Sequence, residues 1–563
     1  MTSASTRPWA RLGLAGLAVF MLSPVVLHGL WRPLAQVLHA ETNAFSLTFA
    51  SFCVAAVAWV VAAATVERGP TNGLPRLAAG LVAPLLGLAL GRGFASVAAA
   101  SLALFAVALF AGSLVPFVVS RLPSDMEALA KRRYVVTTLV VLAGLLAMVQ
   151  FGRLSTFMGD STRTEMSAFP GERFFEHHSC LTAYVEASRL AKEGALNVYD
   201  EENWPDLSHS ARSAAYQVPY APFDLDAFAY PPPFLLLPRF LLLPLGDFAS
   251  QRALWFGLNS LLLAIGLWTV AAWIGGRTQV RALLLAPLVL LTFPVFISLQ
   301  IGNVHSSVIV LSVLGMIAFE REKPALGGAL LAFAIASKIS PGLLVVFLLA
   351  RRRYREVLWT AGFGIFYVGL CLLVFGVAPL KAFLVYQLPH LSSGEALRFL
   401  ALPQGVPFNM GPFGIPFKLA SLGVHFDDIW KSARHINQVF TLVVLLLTVM
   451  AARKEGGPRI RAELWLTVLT LATLRSPFAP GYVSFPLFWL FSLLATEVRG
   501  ARMVFSMAAV WLMMAFMPPL PPTPLMIVSM IQQAVLLGLL VYSVLRKPTP
   551  EALLIGPLDR QAD

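Results

Sequence analysis

Apolar runs of roughly bilayer length, about 20 residues at about 1.5 Å of rise each, recur along the chain between short basic connections. The clearest are Leu12 to Leu30, Ala44 to Val66, Phe94 to Val119, Tyr134 to Phe151, Leu254 to Ile274 and Leu283 to Leu299. They continue with Val304 to Phe319, Val357 to Val377, Val439 to Ala452, Val483 to Ala495, Met503 to Phe516 and Met526 to Leu545. Leu77 to Leu90 is weaker, and Leu464 to Leu474 is short. The stretch PALGGALLAFAIASKISPGLLVVFLLARRRYRE breaks the rhythm: charge flanks both ends, yet Lys338 interrupts its middle beside Ser337, Ser340, Pro341 and Gly342. A lysine at the centre of a span costs roughly 2.5–3.5 kcal/mol, so this stretch is predicted to be a hairpin of two short helices with Lys338 at its tip. The pattern as a whole predicts an all-α polytopic membrane protein with about 16 crossings.

Composition agrees, with 58% hydrophobic and 13% charged residues, a balance no ordinary soluble domain shows. The net charge of +13 raises a nucleic-acid reading, which the placement of the charge opposes. Basic residues cluster in short connections: Arg121 with Lys131 to Arg133, Arg277 and Arg281, Arg351 to Arg353 with Arg355, Arg453 to Arg461, and Arg546 with Lys547. If these share one side, that side is cytoplasmic by the positive-inside rule. Two long polar loops, 152–233 and 379–434, then face outward, and all nine histidines fall on the outward half. Histidine tolerates wet interfaces, so this accords either with bland placement or with a solvated outer cavity. No small-residue cleavage site follows the first apolar run, which reads as an uncleaved span. Cys53 and Cys371 fall inside spans, leaving Cys180 in a polar loop without a disulfide partner.

The first outer loop is too rich in aromatic and apolar residues for a disordered tether. Within it LTAYVEASRLAK reads as an amphipathic helix, with Leu181, Tyr184, Val185, Ser188 and Leu190 near one face and Glu186, Arg189, Lys192 and Glu193 elsewhere. Gly194 is its stop. FAYPPPFLLLPRFLLLPL is apolar but Pro-broken and reads as interfacial. The chain has no P-loop and no G-x-G-x-x-G in a βαβ setting, which argues against a nucleotide-sugar domain. Neither D-x-D nor H-E-x-x-H occurs, and the adjacent His177 and His178 cannot meet one ion as an i, i+4 pair would. No metal ligand set is predicted.

The order of several short motifs resembles glycosyltransferase family 87, whose members are type C enzymes that depend on polyprenyl-phosphate sugars. These motifs are GALNVYD (Gly194 to Asp200), YPPPF (Tyr230 to Phe234), W-x-x-L-N (Trp255, Leu258, Asn259), QIGN (Gln300 to Asn303), the stretch around Lys338 with its RRRYRE, and RSPFAPGY (Arg475 to Tyr482). The likeness runs from about Ala128 to Leu545. It implies a type C glycosyltransferase core over 126–545 with an extra N-terminal four-span bundle over 1–125, and the charge pattern makes 546–563 a cytoplasmic tail. It also implies inverting transfer of a hexose, mannose first, from a polyprenyl-phosphate donor to a lipid or glycan acceptor, in the plasma membrane and on its extracytoplasmic face. No cofactor is expected, although a divalent cation stays open because type C enzymes differ in using one.

Such chemistry needs a base for the acceptor proton, cations or dipoles for the leaving phosphate, and an apolar groove for the lipid. In the family the base opens a D-x-x-x-Y helix. Tyr184 matches the tyrosine, so Cys180 stands where the acid belongs. Candidate replacements are Asp160, close in sequence to the end of a span, Glu176, one turn before Cys180, and His177 or His178, whose ordinary pKa suits a base. Each histidine could equally begin a helix, and Cys180 could simply pack. Lys338 and Arg475 are the phosphate-holding candidates. Gln300, Asn303 and His305 form a polar break that is either a tight turn or a wall of the sugar site. Tyr184 and Tyr230 are further substrate-binding candidates, although Tyr230 with its prolines could instead shape the loop rather than touch substrate. The rival class is a transporter of lipid-linked sugar or polymer, or a scaffold that has lost its acid, although no internal repeat of the transporter kind is visible.

Overall fold

The computed structural model describes residues 134–204, 219–402, 405–497, 501–515 and 520–546. The expected four-span bundle, with His28 and His39, lies outside the described residues, as do His209 and the tail from Lys547. In chain order the principal helices are α1 (Tyr134–Gly159), α2 (Cys180–Lys192), α3 (Phe248–Ile274), α4 (Gly276–Leu290), α5 (Phe293–Gln300), α6 (His305–Glu320), α7 (Pro324–Ser337) and α8 (Leu343–Ala350). They continue with α9 (Tyr354–Phe375), α10 (Ile415–Ser421), α11 (Ile429–Arg453), α12 (Pro458–Leu474), α13 (Phe485–Ala495), α14 (Ala501–Ala515) and α15 (Pro522–Leu545). Among the described residues there is no sheet, only two isolated bridges, His178 with Asp224 and Asn409 with Pro480.

The chain divides into two compact units, one containing 134–177 and 244–291 and the other 178–243 and 292–546. In the first, α1, α3 and α4 pack on one another. Asp247 caps α3 by accepting the Ser250 N–H at 2.8 Å, and Gly275, at φ +71°, ends it. Arg252 is buried, its Nη1 donating to the Phe157 carbonyl at 2.7 Å and its guanidinium 4.4 Å from the Phe157 ring.

In the second unit α12 is central, buried continuously from Ala462 to Leu474 and packed by α6, α8, α11, α13 and α15. Close-packed α6, α7 and α9 form a second layer. Gly328 allows that approach, since a Cβ there would sit 2.7 Å from the Trp359 backbone carbon. Arg353 pairs with Glu320 and Glu356, and Arg461 with Glu320, while Arg459 and Arg546 share Glu463 and Glu497. The connections after α6 and α8 thus meet the start of α12 in one group of ion pairs, and those after α13 and α15 meet it in another.

The reading of about sixteen crossings does not hold. Among the described residues five helices are long and apolar enough to cross a membrane: Leu142–Gly159 within α1, α3, α9, α11 and α15. A sixth is added if the bent pair Thr278–Leu290 and Phe293–Gln300 counts as one span. The physical reason is that an apolar run can face protein as well as lipid. Helices α6, α7, α13 and α14 have 16, 14, 11 and 15 residues, short of the thickness of the hydrocarbon, and α13 is buried from Phe485 to Leu494. Helix α9 is the opposite case, with Ile365 and Leu373 74% and 85% exposed, as an outer face toward lipid would be. The chain breaks at Lys338 between α7 and the turn Ser340–Gly342 that leads into α8. These helices lean on different neighbours, α7 on α6 and α9, α8 on α11 and α12. The regions read as long outward loops fold into short helices, α2 and α10 among them.

Candidate functional site

Helix α2 begins at Cys180, and three contacts fix that point. The Cys180 N–H donates to the Ile301 carbonyl at 2.8 Å, so the turn between α5 and α6 takes up one of the helix's unpaired donors. The Thr182 hydroxyl lies 2.7 Å from the Ser179 carbonyl and 3.1 Å from that of Asp224, and accepts the Asp226 N–H at 3.0 Å. The His178 bridge to Asp224 pins the same extended segment. Along it Phe223 and Leu225 are buried, so the alternating Asp224 and Asp226 take the other face.

Asp226 is thereby delivered to the start of α2. The ligating atoms of His178, Cys180 and Asp226 all lie within 4.8 Å of one another, with His178 Nε2 3.7 Å from Cys180 Sγ and 3.8 Å from Asp226 Oδ2. Asn303 Nδ2 donates toward Cys180 Sγ and the Tyr230 hydroxyl, each at 3.4 Å. The Tyr184 hydroxyl donates to the Tyr230 hydroxyl oxygen at 3.0 Å and accepts the Val304 N–H at 3.2 Å. Its ring stands edge-on to Tyr230 and Phe234, with centroids 5.1 and 4.9 Å away. Tyr199 donates to the Tyr230 carbonyl at 2.8 Å, tying the GALNVYD turn to YPPPF. Lys338 Nζ lies 5.9 Å from the centre of the Tyr230 ring. Tyr482 is near enough to Cys180, Tyr230 and Asp226 for their charges to act on it.

Burial pushes the Cys180 thiol up, and the Asp226 charge adds to that, against the Asn303 amide and Lys338. Burial likewise raises Tyr184 and Tyr230, so both hydroxyls are neutral at physiological pH. Burial lowers the Lys338 ammonium to about 8, with Cys180 acting the other way, which leaves it mostly protonated at neutral pH.

The structure thus brings together His178, Tyr184, Tyr230, Asn303 and Lys338 of the expected site residues. Gln300 and His305 are buried at the same turn, where the His305 N–H donates to Asn303 Oδ1 at 2.9 Å. Arg475 is exposed just after α12. Asp160, Glu176 and His177 belong to the first unit. Asp160 accepts from the Thr162 N–H and hydroxyl, and Glu176 from the Gly171 N–H. Glu186, expected off the apolar face of α2, is buried and held by Arg189 and by the Tyr220 hydroxyl at 2.7 Å. Sequence reading missed Asp226 and Tyr482. The signal for Asp226 is the brief alternation FDLDAF, and for Tyr482 the end of RSPFAPGY, whose loop Asn409 anchors through Pro477 and Ala479.

Beside this polar cluster lies an apolar cavity of about 400 Å³. Pro231, Pro232 and Pro233 line it, directly after Tyr230, and so does Ile339, directly after Lys338. The remainder comes from α7, α9, Val345 of α8 and the segment 380–384.

Neither a curated protein nor a solved structure matches the chain. A family model does: residues 228–477, which span YPPPF, W-x-x-L-N, QIGN and the Lys338 break, match the model of glycosyltransferase family 87.

Proposed function

We propose that the protein transfers a hexose, mannose by the family resemblance, from a polyprenyl-phosphate donor to an extracytoplasmic lipid or glycan acceptor, inverting the anomeric centre. The observation that carries this reading is the junction of polar cluster and apolar cavity. Tyr230 and Lys338 end the one where Pro231 and Ile339 begin the other, which suits a ligand with a charged head and a hydrocarbon tail. Burial of the tail would be worth about 0.8 kcal/mol per methylene.

In this scheme the lipid lies in the cavity and its phosphate faces Lys338. Asp226 takes the acceptor's hydroxyl proton, and His178, 3.8 Å away, holds that carboxylate and shares its charge. The acceptor oxygen bonds to the anomeric carbon from the face opposite the phosphate. The carbon–oxygen bond to phosphate breaks, its electron pair leaves on the polyprenyl phosphate, and the Lys338 ammonium stabilises that charge. Tyr184, Tyr230 and Asn303 form the wall against which the sugar is oriented. Asp226 performs from the extended segment what an acid at the Cys180 position would perform from the helix.

The test is transfer from radiolabelled polyprenyl-phosphate mannose by protein in nanodiscs, comparing Asp226→Asn with Asp160→Asn, Glu176→Gln and His177→Ala. The Asp226 change should be the most damaging while donor binding persists. Donor binding by the wild type without any transfer or slow hydrolysis would favour a scaffold, and no donor binding would favour a transporter.

A further inference from the structure

We infer that His178, Cys180 and Asp226 form a binding site for a zinc-class divalent transition metal. The three side chains offer a nitrogen, a sulfur and an oxygen, each a ligand type zinc takes, and three protein ligands leave a fourth tetrahedral position open. With metal–ligand distances of about 2.0–2.3 Å, neighbouring ligand atoms in a tetrahedral site lie roughly 3.4–3.6 Å apart. The observed separations of 3.7 Å from His178 Nε2 to Cys180 Sγ and 3.8 Å to Asp226 Oδ2 need contractions of only a few tenths of an ångström. Cys180 Sγ to Asp226 is within 4.8 Å, which a side-chain rotation of the partly exposed aspartate closes.

Charge and second contacts agree with this. A thiolate, a neutral imidazole and a carboxylate carry two negative charges, which neutralise a divalent ion where an isolated charge would be costly. Metal binding would release the thiol proton. Asn303 Nδ2 donates to the sulfur at 3.4 Å, and outer hydrogen bonds of this kind orient ligands in metal sites. Cys180 is 4% exposed, whereas the His178 and Asp226 side chains are 18% and 33% exposed. The fourth position is therefore open to the side on which His178 and Asp226 reach solvent. A bound ion would take Asp226 and His178 away from the acceptor proton, so excess zinc should inhibit transfer.

Cobalt(II) is the probe, because thiolate ligation gives a charge-transfer band in the near ultraviolet and a tetrahedral site gives intense visible bands. The full chain in nanodiscs, without sugar donor, should bind one cobalt with both signatures, and zinc should displace it. Cys180→Ser should abolish the near-ultraviolet band, and His178→Ala and Asp226→Asn should each lose the tetrahedral bands. Cys371→Ser and Cys53→Ser should retain both. Absence of the band in the wild type, or its survival in Cys180→Ser, would overturn the site. Loss in Cys180→Ser with His178→Ala and Asp226→Asn unaffected would overturn the three-ligand set. Since no sugar is present, failure of the glycosyl-transfer reading would leave this result standing.

Discussion

The carboxylate of Asp226 lies within 4.8 Å of the Cys180 sulfur, although 45 residues separate them along the chain. Cys180 occupies the position where the family resemblance places an acid, and the neighbouring segment brings an acid to the same point. Thr182 is the hinge of that arrangement, because its hydroxyl contacts both the Asp224 carbonyl and the Asp226 N–H.

Lys338 is expected to act on the donor rather than on the acceptor. Removing one charged contact to phosphate forfeits about 1.5–3 kcal/mol, so Lys338→Ala should weaken donor binding about tenfold to hundredfold. Lys338→Arg should recover part of it. Titration of fluorescent polyprenyl phosphate into nanodisc protein checks this, and unchanged affinity in Lys338→Ala would remove the residue from the site.

Gly328 tests the packing that holds the cavity. Its missing Cβ would meet the Trp359 backbone at 2.7 Å, and a backbone cannot swing aside as a long side chain can. Gly328→Val should lower stability by about 1–3 kcal/mol, seen as a lower melting temperature in detergent. A melting temperature equal to the wild type would show that α7 and α9 can separate without loss.

Lys418 makes stability depend on pH. It is buried, with its Nζ 2.9 Å from Ser529 Oγ and 3.1 Å from Gln533 Oε1. Burial lowers its ammonium from 10.5 to about 7. Below about pH 7 the lysine is protonated in both folded and unfolded chains, and the penalty for its buried charge is fully present. Between about 7 and 10.5 the unfolded chain keeps the proton that the folded chain releases, so stability rises with pH. Thermal melting should show this rise in the wild type and a much flatter profile in Lys418→Met; equal slopes would exclude Lys418 as the cause.

Much of the local structure around the candidate site was legible because local chemistry announced it. Gly194 ends α2 as its φ of +85° requires, the polar interruption at Lys338 is a true helix break, and Gln300 to His305 form a buried turn. The number of crossings was not legible, since α12 and α13 are apolar in order to pack within the protein, and composition does not distinguish a protein neighbour from a lipid. Asp226 was hidden for a different reason. Its role depends on a contact between distant segments, and an alternation as short as FDLDAF is no stronger than many a loop.

The most direct measurement is the rate of mannose transfer from polyprenyl-phosphate mannose by Asp226→Asn and wild type in nanodiscs, with donor affinity measured on the same samples. Loss of a positioned base predicts a fall of about 10²–10⁴-fold in rate with donor affinity nearly unchanged. A rate within a few-fold of the wild type would contradict the claim that Asp226 supplies the acid missing at Cys180.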